Sequence, residues 1–229
     1  MSDVWREFLY PLGFLSAIAF GSRVIIQWLI SEAKGKSSVT PIFWRLSIFG
    51  NVFLALHAFI QMQFHVCLIQ ACSTVISWRN LNLMQPLSRR VSTSRTISIL
   101  LTTAVLTALA FAIQGYLSFD EFHDWFRIPI APWQSGKMVD LSYWWHGFGF
   151  VGIILFSSRF WLQWWCAERD QESHLGASFW WVSLVGESIC LIYFLRINDP
   201  VNFIGPLCAL IPYVRNLVLI YRPRQKQQV

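Results

Sequence analysis

The chain has 229 residues, of which 55% are hydrophobic and only 13% charged, and its mean hydropathy is +0.47. A soluble domain carries about twice that charged fraction, which argues against an ordinary water-soluble enzyme, and 13 Trp with 19 Phe suit lipid-facing surfaces and interfacial belts. Lys plus Arg outnumber Asp plus Glu by 18 to 12, but the basic residues stand beside apolar segments, so membrane topology and anionic lipid account for them better than nucleic acid does.

A membrane-crossing helix needs about 20 mostly apolar residues. Seven stretches are read as spans, at roughly 8–31, 42–62, 66–84, 96–118, 143–166, 178–197 and 201–221. The first follows Asp3, Arg6 and Glu7 and is trailed by no small-residue cleavage site, so it does not read as a signal peptide. It contains "GSRVIIQWLISE", where Arg23 and Gln27 lie four apart and share a helix face. The third span ends in Arg79 and Asn80. The fourth, "ISILLTTAVLTALAFAIQG", is featureless. In the following 119–142 connection, "FDEFHDWF" sets Phe119, Phe122, Trp125 and Phe126 on one face, as in a short helix lying on a membrane surface. Asp120, Glu121 and Asp124 then read as its solvated face rather than as a catalytic carboxylate cluster. The fifth span carries "SSRFWLQWWCAE". Pro206 and Pro212 fall at the last span and can break it, freeing backbone groups for a cavity.

Orientation follows from basic residues in short loops. Lys34 and Lys36, then Arg79, Arg89, Arg90 and Arg95, then Arg215, Arg222, Arg224 and Lys226 all fall on one side of a seven-span chain. That side is expected to be the cytoplasm, with the N-terminus in the periplasm. The 167–177 loop supports this only through Arg169.

The chain is duplicated. Shifted by 136 positions, residues 13–83 align without a gap and 19 of 71 positions are identical. Apolar matches mean little between two oily segments, so the polar ones decide. Ser22 matches Ser158, Arg23 Arg159, Gln27 Gln163, Glu32 Glu168, Ser47 Ser183, Arg79 Arg215 and Asn80 Asn216, while Trp28 matches Trp164. Two three-span repeats joined directly would be inverted. The unpaired span at 96–118 restores a parallel relation. The expected organisation is therefore a three-helix repeat at 8–84, a linker helix at 96–118, a periplasmic loop at 119–142 and a second repeat at 143–222.

An arginine at membrane depth costs at least a few kcal/mol and is tolerated where it faces protein or a watered cavity. Arg23 and Arg159, turned toward a common axis, would make such a basic cavity. Snorkelling of Arg23, or its structural pairing with Glu32 or Glu187, is the competing use. Glu187 stands where the first repeat has Asn51. A guanidinium fork suits phosphate, Gln27 and Gln163 can bond a hydroxyl or amide, and Trp28 and Trp164 can stack on a sugar ring. Asn80 and Asn216, beside Arg79 and Arg215, suit either a helix-end anchor or a polar gate. No phosphate loop, nucleophile elbow, paired-carboxylate motif or metal-ligand spacing is present in the sequence, so no catalytic residue, cofactor or metal is expected here. The five cysteines lie in apolar surroundings and suggest no disulfide framework.

The R-x-x-x-Q-W-x-x-x-E helix, the F-W that follows it and the terminal R-N-L occur in both repeats. With them the chain resembles the lipid-A-disaccharide synthase N-terminal domain family over about 13–84 and 147–222. A more distant resemblance, in span arrangement, is to the SWEET and PQ-loop transporters, although no P-Q dipeptide occurs at the corresponding turn. The first resemblance implies a membrane module in lipid A assembly that binds or presents a phosphorylated glycolipid to a fused or partner glycosyltransferase. That enzyme joins two acylated glucosamines. The second implies a transporter or flippase of a sugar or lipid-linked sugar.

Overall fold

The computed structural model describes residues 6, 8–117, 142–196 and 200–222, with side chains at 117, 146 and 200–206 left aside. The expected surface helix at 119–126 lies outside the described residues. Those described are all-helical, with no strand among them. The long helices are α1 (Leu12–Lys34), α2 (Pro41–Ile60), α3 (Phe64–Leu83), α4 (Thr93–Leu117), α5 (Tyr143–Asp170), α6 (Ala177–Arg196) and α7 (Pro200–Tyr221). By length and composition, α1, α2, the 87–116 segment that holds α4, and α6 can cross a membrane. A shorter apolar stretch, Leu207–Tyr221, lies in α7.

The helix ends follow local chemistry. Pro41 and Pro200 open α2 and α7, where a missing N–H is harmless. Gly35 ends α1 at φ +62°, with Gly35 N–H donating to the Glu32 carbonyl and Lys36 N–H to the Ser31 carbonyl. Those are the two bonds of a Schellman closure. At the matching place 136 residues on, Gln171 adopts φ 50° and Glu172 N–H reaches the Ala167 carbonyl. The second repeat thus keeps the longer bond of the closure, with a side chain where glycine fits better. The expected break at the prolines does not occur: α7 runs unbroken through Pro206 and Pro212. A proline deletes one helical N–H but leaves the flanking hydrogen bonds able to carry the helix.

Burial along α1 is inverted relative to a soluble helix. Ser16, Ala19, Arg23, Gln27 and Ser31 form the buried stripe, while Phe14, Leu15, Ile18, Ile25 and Leu29 are exposed. Water would penalise that arrangement, whereas lipid favours it.

The chain forms two compact units. The first comprises residues 1–23 and 41–136, the second 24–40 and 137–229, so the division falls inside α1. In the first, α3 packs between α2 and α4. Phe111 of α4 is fully buried against Phe59 and Phe64, each ring edge-on at 5.2 Å. In the second, α6 packs between α5 and α7. Small residues allow close helix approach in both, as membrane interfaces require. A Cβ on Gly50 would lie 2.4 Å from the Phe20 ring, and one on Gly186 would lie 2.8 Å from the Phe156 backbone nitrogen. Gly13 faces His57 and Gly149 faces Tyr193 in the same matched way.

Candidate functional site: two polar clusters in the second unit

The α1 segment within the second unit contributes Gln27. Its amide and that of Asn216 on α7 bond reciprocally, at 2.8 and 3.1 Å. Ser37 donates to the same Asn216 oxygen at 2.9 Å and accepts from the Trp180 indole at 3.1 Å. The other Gln27 Nε2 hydrogen is shared between Ser31 Oγ and the Ser38 carbonyl. Asn216 Nδ2 returns to the Pro212 carbonyl at 2.8 Å. Gln27, Ser31 and Asn216 are all but inaccessible. A buried polar network of this kind is stable only when satisfied, and it then fixes one arrangement of its helices.

The second cluster centres on Arg159 of α5. Its guanidinium lies 3.5 Å above the Phe156 ring, donates to the Tyr213 hydroxyl at 3.2 Å, and faces the Glu187 carboxylate at 3.9 Å. Arg159 and Glu187 are each about 5% exposed. Arg159 Nε is buried without a hydrogen-bond acceptor among the described residues. A buried guanidinium normally has all its N–H groups engaged, and this one departs from that pattern. Trp180 touches both clusters, its ring lying 5.8 Å from that of Tyr213.

The other expected site residues divide as follows. Arg23, in the first unit, donates to Ser47 at 2.8 Å and stacks on Phe20 at 4.4 Å. Glu32 instead holds Arg215 in a two-pronged pair at 2.6 and 2.8 Å. Glu187 faces Arg159, within its own repeat. Trp28 and Trp164, both half-buried, donate to Glu32 and Glu168 at 2.9 and 3.0 Å. Gln163 donates to the His174 carbonyl as Gln27 does to Ser38, each at 3.2 Å. Asn80 donates to the Ile76 carbonyl at 3.0 Å. Arg79 and Arg215 have parted: Arg79 is 1% exposed and fastens the 84–93 connection through Asn82, the Val91 carbonyl and Thr93, while Arg215 is exposed. Outside the spans, the hydrogen bonds from Arg169 hold the Asp170 carboxyl below the usual carboxylate range.

Sequence reasoning passed over Ser37 and Tyr213, and used Trp180 only as a marker of the repeat. Ser37 matches Ser173 and Trp180 matches Trp44, so their signal was in the duplication. Tyr213 stands at the place of Ser77 and carried none. In the first repeat, Ser77 accepts a hydrogen bond from Asn51 at 3.3 Å. The Asn–Ser pair there corresponds to the Glu–Tyr pair around Arg159.

Apolar helices with buried polar stripes, made twice over in one chain, define an all-helical repeat protein and point to membrane association. The chain belongs to the Lipid A Biosynthesis N-terminal domain family, whose model matches residues 12–82 and again 148–218. It is similar to proteins named lipid-A-disaccharide synthase. That of Chlamydia felis (strain Fe/C-56) is 38% identical over 218 residues, that of Chlamydia caviae 37% over 220, and that of Chlamydia trachomatis serovar D 38% over 217. Each alignment takes in 93% of this chain but only about a third of the relative's length, 33 or 34%. No solved structure matches the chain.

Proposed function

We propose that this chain is a multi-pass inner-membrane module of lipid A biosynthesis that binds a phosphorylated glycolipid and presents it to a glycosyltransferase, fused or separate. In this reading the seven helices span the bilayer as two parallel three-helix repeats joined by α4. The N-terminus is periplasmic and the C-terminus cytoplasmic. The observation that carries it is the double family match, together with relatives named for the synthase over whose length this chain extends only a third. Arg159 is the best-supported ligand group of the second unit. It combines near-complete burial, a spare Nε–H and an aromatic seat. Gln163, Trp164 and Glu187 are proposed to serve the same ligand, as are Gln27, Trp28 and Asn216 from the amide network. Asn80 is their counterpart in the first unit. Bond-making chemistry is assigned to the glycosyltransferase.

A second reading, a SWEET-like transporter or flippase of a lipid-linked sugar, is favoured by one feature. The Arg159–Glu187 pair is buried within the apolar helices, where ionisable residues mark substrate or ion paths. Protein in lipid nanodiscs should bind a 1-phosphorylated acyl-glucosamine and bind its dephosphorylated form far more weakly. In proteoliposomes the same lipid should keep its leaflet. Equal binding of both forms would defeat the presentation reading, and protein-dependent leaflet exchange would favour transport.

A further inference from the structure

The C-terminal turn of α7 carries a feature separate from both buried clusters. Arg215, Val218, Leu219, Tyr221 and Arg222 line a cleft of about 600 Å³. Leu207, Ile211, Val214 and Val218 are all exposed on α7 and recur at spacings of four, three and four. They therefore form one continuous apolar stripe that runs up to this cleft. Arg222 follows Val218 by one helical turn and stands at the head of the stripe, while Arg215, next to Val214, flanks its last turn. The Tyr221 hydroxyl, held by the Trp181 indole at 3.3 Å, gives the rim an aromatic–polar edge of the kind that sits at a membrane interface.

One carboxylate already tests this site. Glu32 docks on Arg215 through both of its oxygens, at 2.6 and 2.8 Å, and the charge of Arg222 also acts on it. The planar two-oxygen contact is the one a phosphate would make with the same fork. Arg215 and Arg222 both line the cleft and Glu32, paired with Arg215, carries a single negative charge, leaving one positive charge in excess. A doubly charged phosphomonoester would neutralise the pair, and a singly charged phosphodiester would not gain the same advantage over Glu32.

We infer that this cleft is a headgroup site for an acylated phosphomonoester, with the phosphate between Arg215 and Arg222, an acyl chain along the α7 stripe, and Glu32 as the internal anion that it displaces. The inference rests on the membrane reading above and adds a phosphate subsite at the helix end, separate from Arg159. The occupant is the acylated form, because the apolar stripe leads directly into the arginine pair.

The test uses the full chain in phosphatidylcholine nanodiscs, with phosphatidic acid, phosphatidylglycerol and inorganic phosphate as probes. Arg222→Gln leaves Arg159 intact, so its effect is independent of whether a glycolipid binds at Arg159. Phosphatidic acid should bind about tenfold tighter than phosphatidylglycerol, and equimolar inorganic phosphate should not compete. Arg222→Gln should lose about tenfold for phosphatidic acid, as one charge-assisted contact is removed. Glu32→Gln should bind it more tightly than the unaltered chain. Arg222 is exposed, so its variant keeps the fold, and an unchanged melting temperature verifies that. Equal affinity for the two lipids, unchanged affinity in Arg222→Gln, weaker binding in Glu32→Gln, or competition by inorganic phosphate would each overturn the inference.

Discussion

The amide pair Gln27–Asn216 should be energetically coupled, and a double-mutant cycle with leucine measures it. Leucine approximates the bulk of either side chain and removes its hydrogen bonds. Asn216→Leu deletes two reciprocal bonds with Gln27 and the bonds to Ser37 and the Pro212 carbonyl. It also leaves the Gln27 amide, 1% exposed, short of a partner. A buried group left unpaired costs about 1–3 kcal/mol, so Asn216→Leu should destabilise by about 2–3 kcal/mol and Gln27→Leu by about 2. Hydrogen bonds between membrane helices average about 0.6 kcal/mol each. Two of them predict that the double variant is about 1 kcal/mol less destabilised than the summed single effects. Reversible unfolding by sodium dodecyl sulfate titration in mixed micelles gives all four free energies. Independent sites add within about 0.3–0.5 kcal/mol. Additivity within that margin would refute the pairing of α1 with α7 in the second unit.

Three further outcomes can be measured in the same host or in cells. Gly186→Ala should lower stability by about 1–2 kcal/mol, because its Cβ meets the Phe156 backbone, and Gly50→Ala should cost less, because the Phe20 ring can swing aside; equal costs would contradict the packing. Gln171→Gly should raise the melting temperature through about 0.5–1 kcal/mol of relieved left-handed strain, with Gly35→Ala moving it the other way, and a loss on Gln171→Gly would remove the strain argument. A reporter fused after Val229 should signal cytoplasm and one within 119–142 periplasm, whereas both on one side would defeat the seven-span topology.

What the sequence made legible was whatever repeats or alternates. The four-residue spacing of Arg23 and Gln27 marked the inner stripe of α1, and the 136-residue offset recurs in the family match, where residue 148 answers residue 12. The matched Trp–Glu pairs were visible as identities, but their hydrogen bonds were not. The i,i+4 spacing of Trp28 and Glu32 is the signal that gives those bonds away, and it leaves the indole faces available for stacking. Partner choice was the illegible part. One-dimensional spacing could not tell that Glu32 takes Arg215, or that Glu187 takes Arg159, because both pairings depend on helix packing. The different fates of Arg79 and Arg215 lie beyond any repeat argument, since the surroundings of two identical residues diverged. Pro212 misled for a related reason: α7 absorbs one lost N–H, and the Pro212 carbonyl finds the Asn216 amide.

The central claim is that Arg159 serves a phosphorylated glycolipid rather than only holding helices together. Arg159→Lys keeps the charge and loses the planar fork, and a charge-assisted contact of about 1.5–3 kcal/mol corresponds to at least about tenfold in affinity. The measurement is affinity for a 1-phosphorylated acyl-glucosamine, with the melting temperature taken on the same nanodisc samples. Arg159→Lys should bind at least about tenfold more weakly while melting close to the unaltered chain, with Gln163→Leu shifted the same way but less. Unchanged affinity in the folded fraction, together with a lowered melting temperature, would show that the arginine is structural and would contradict the account.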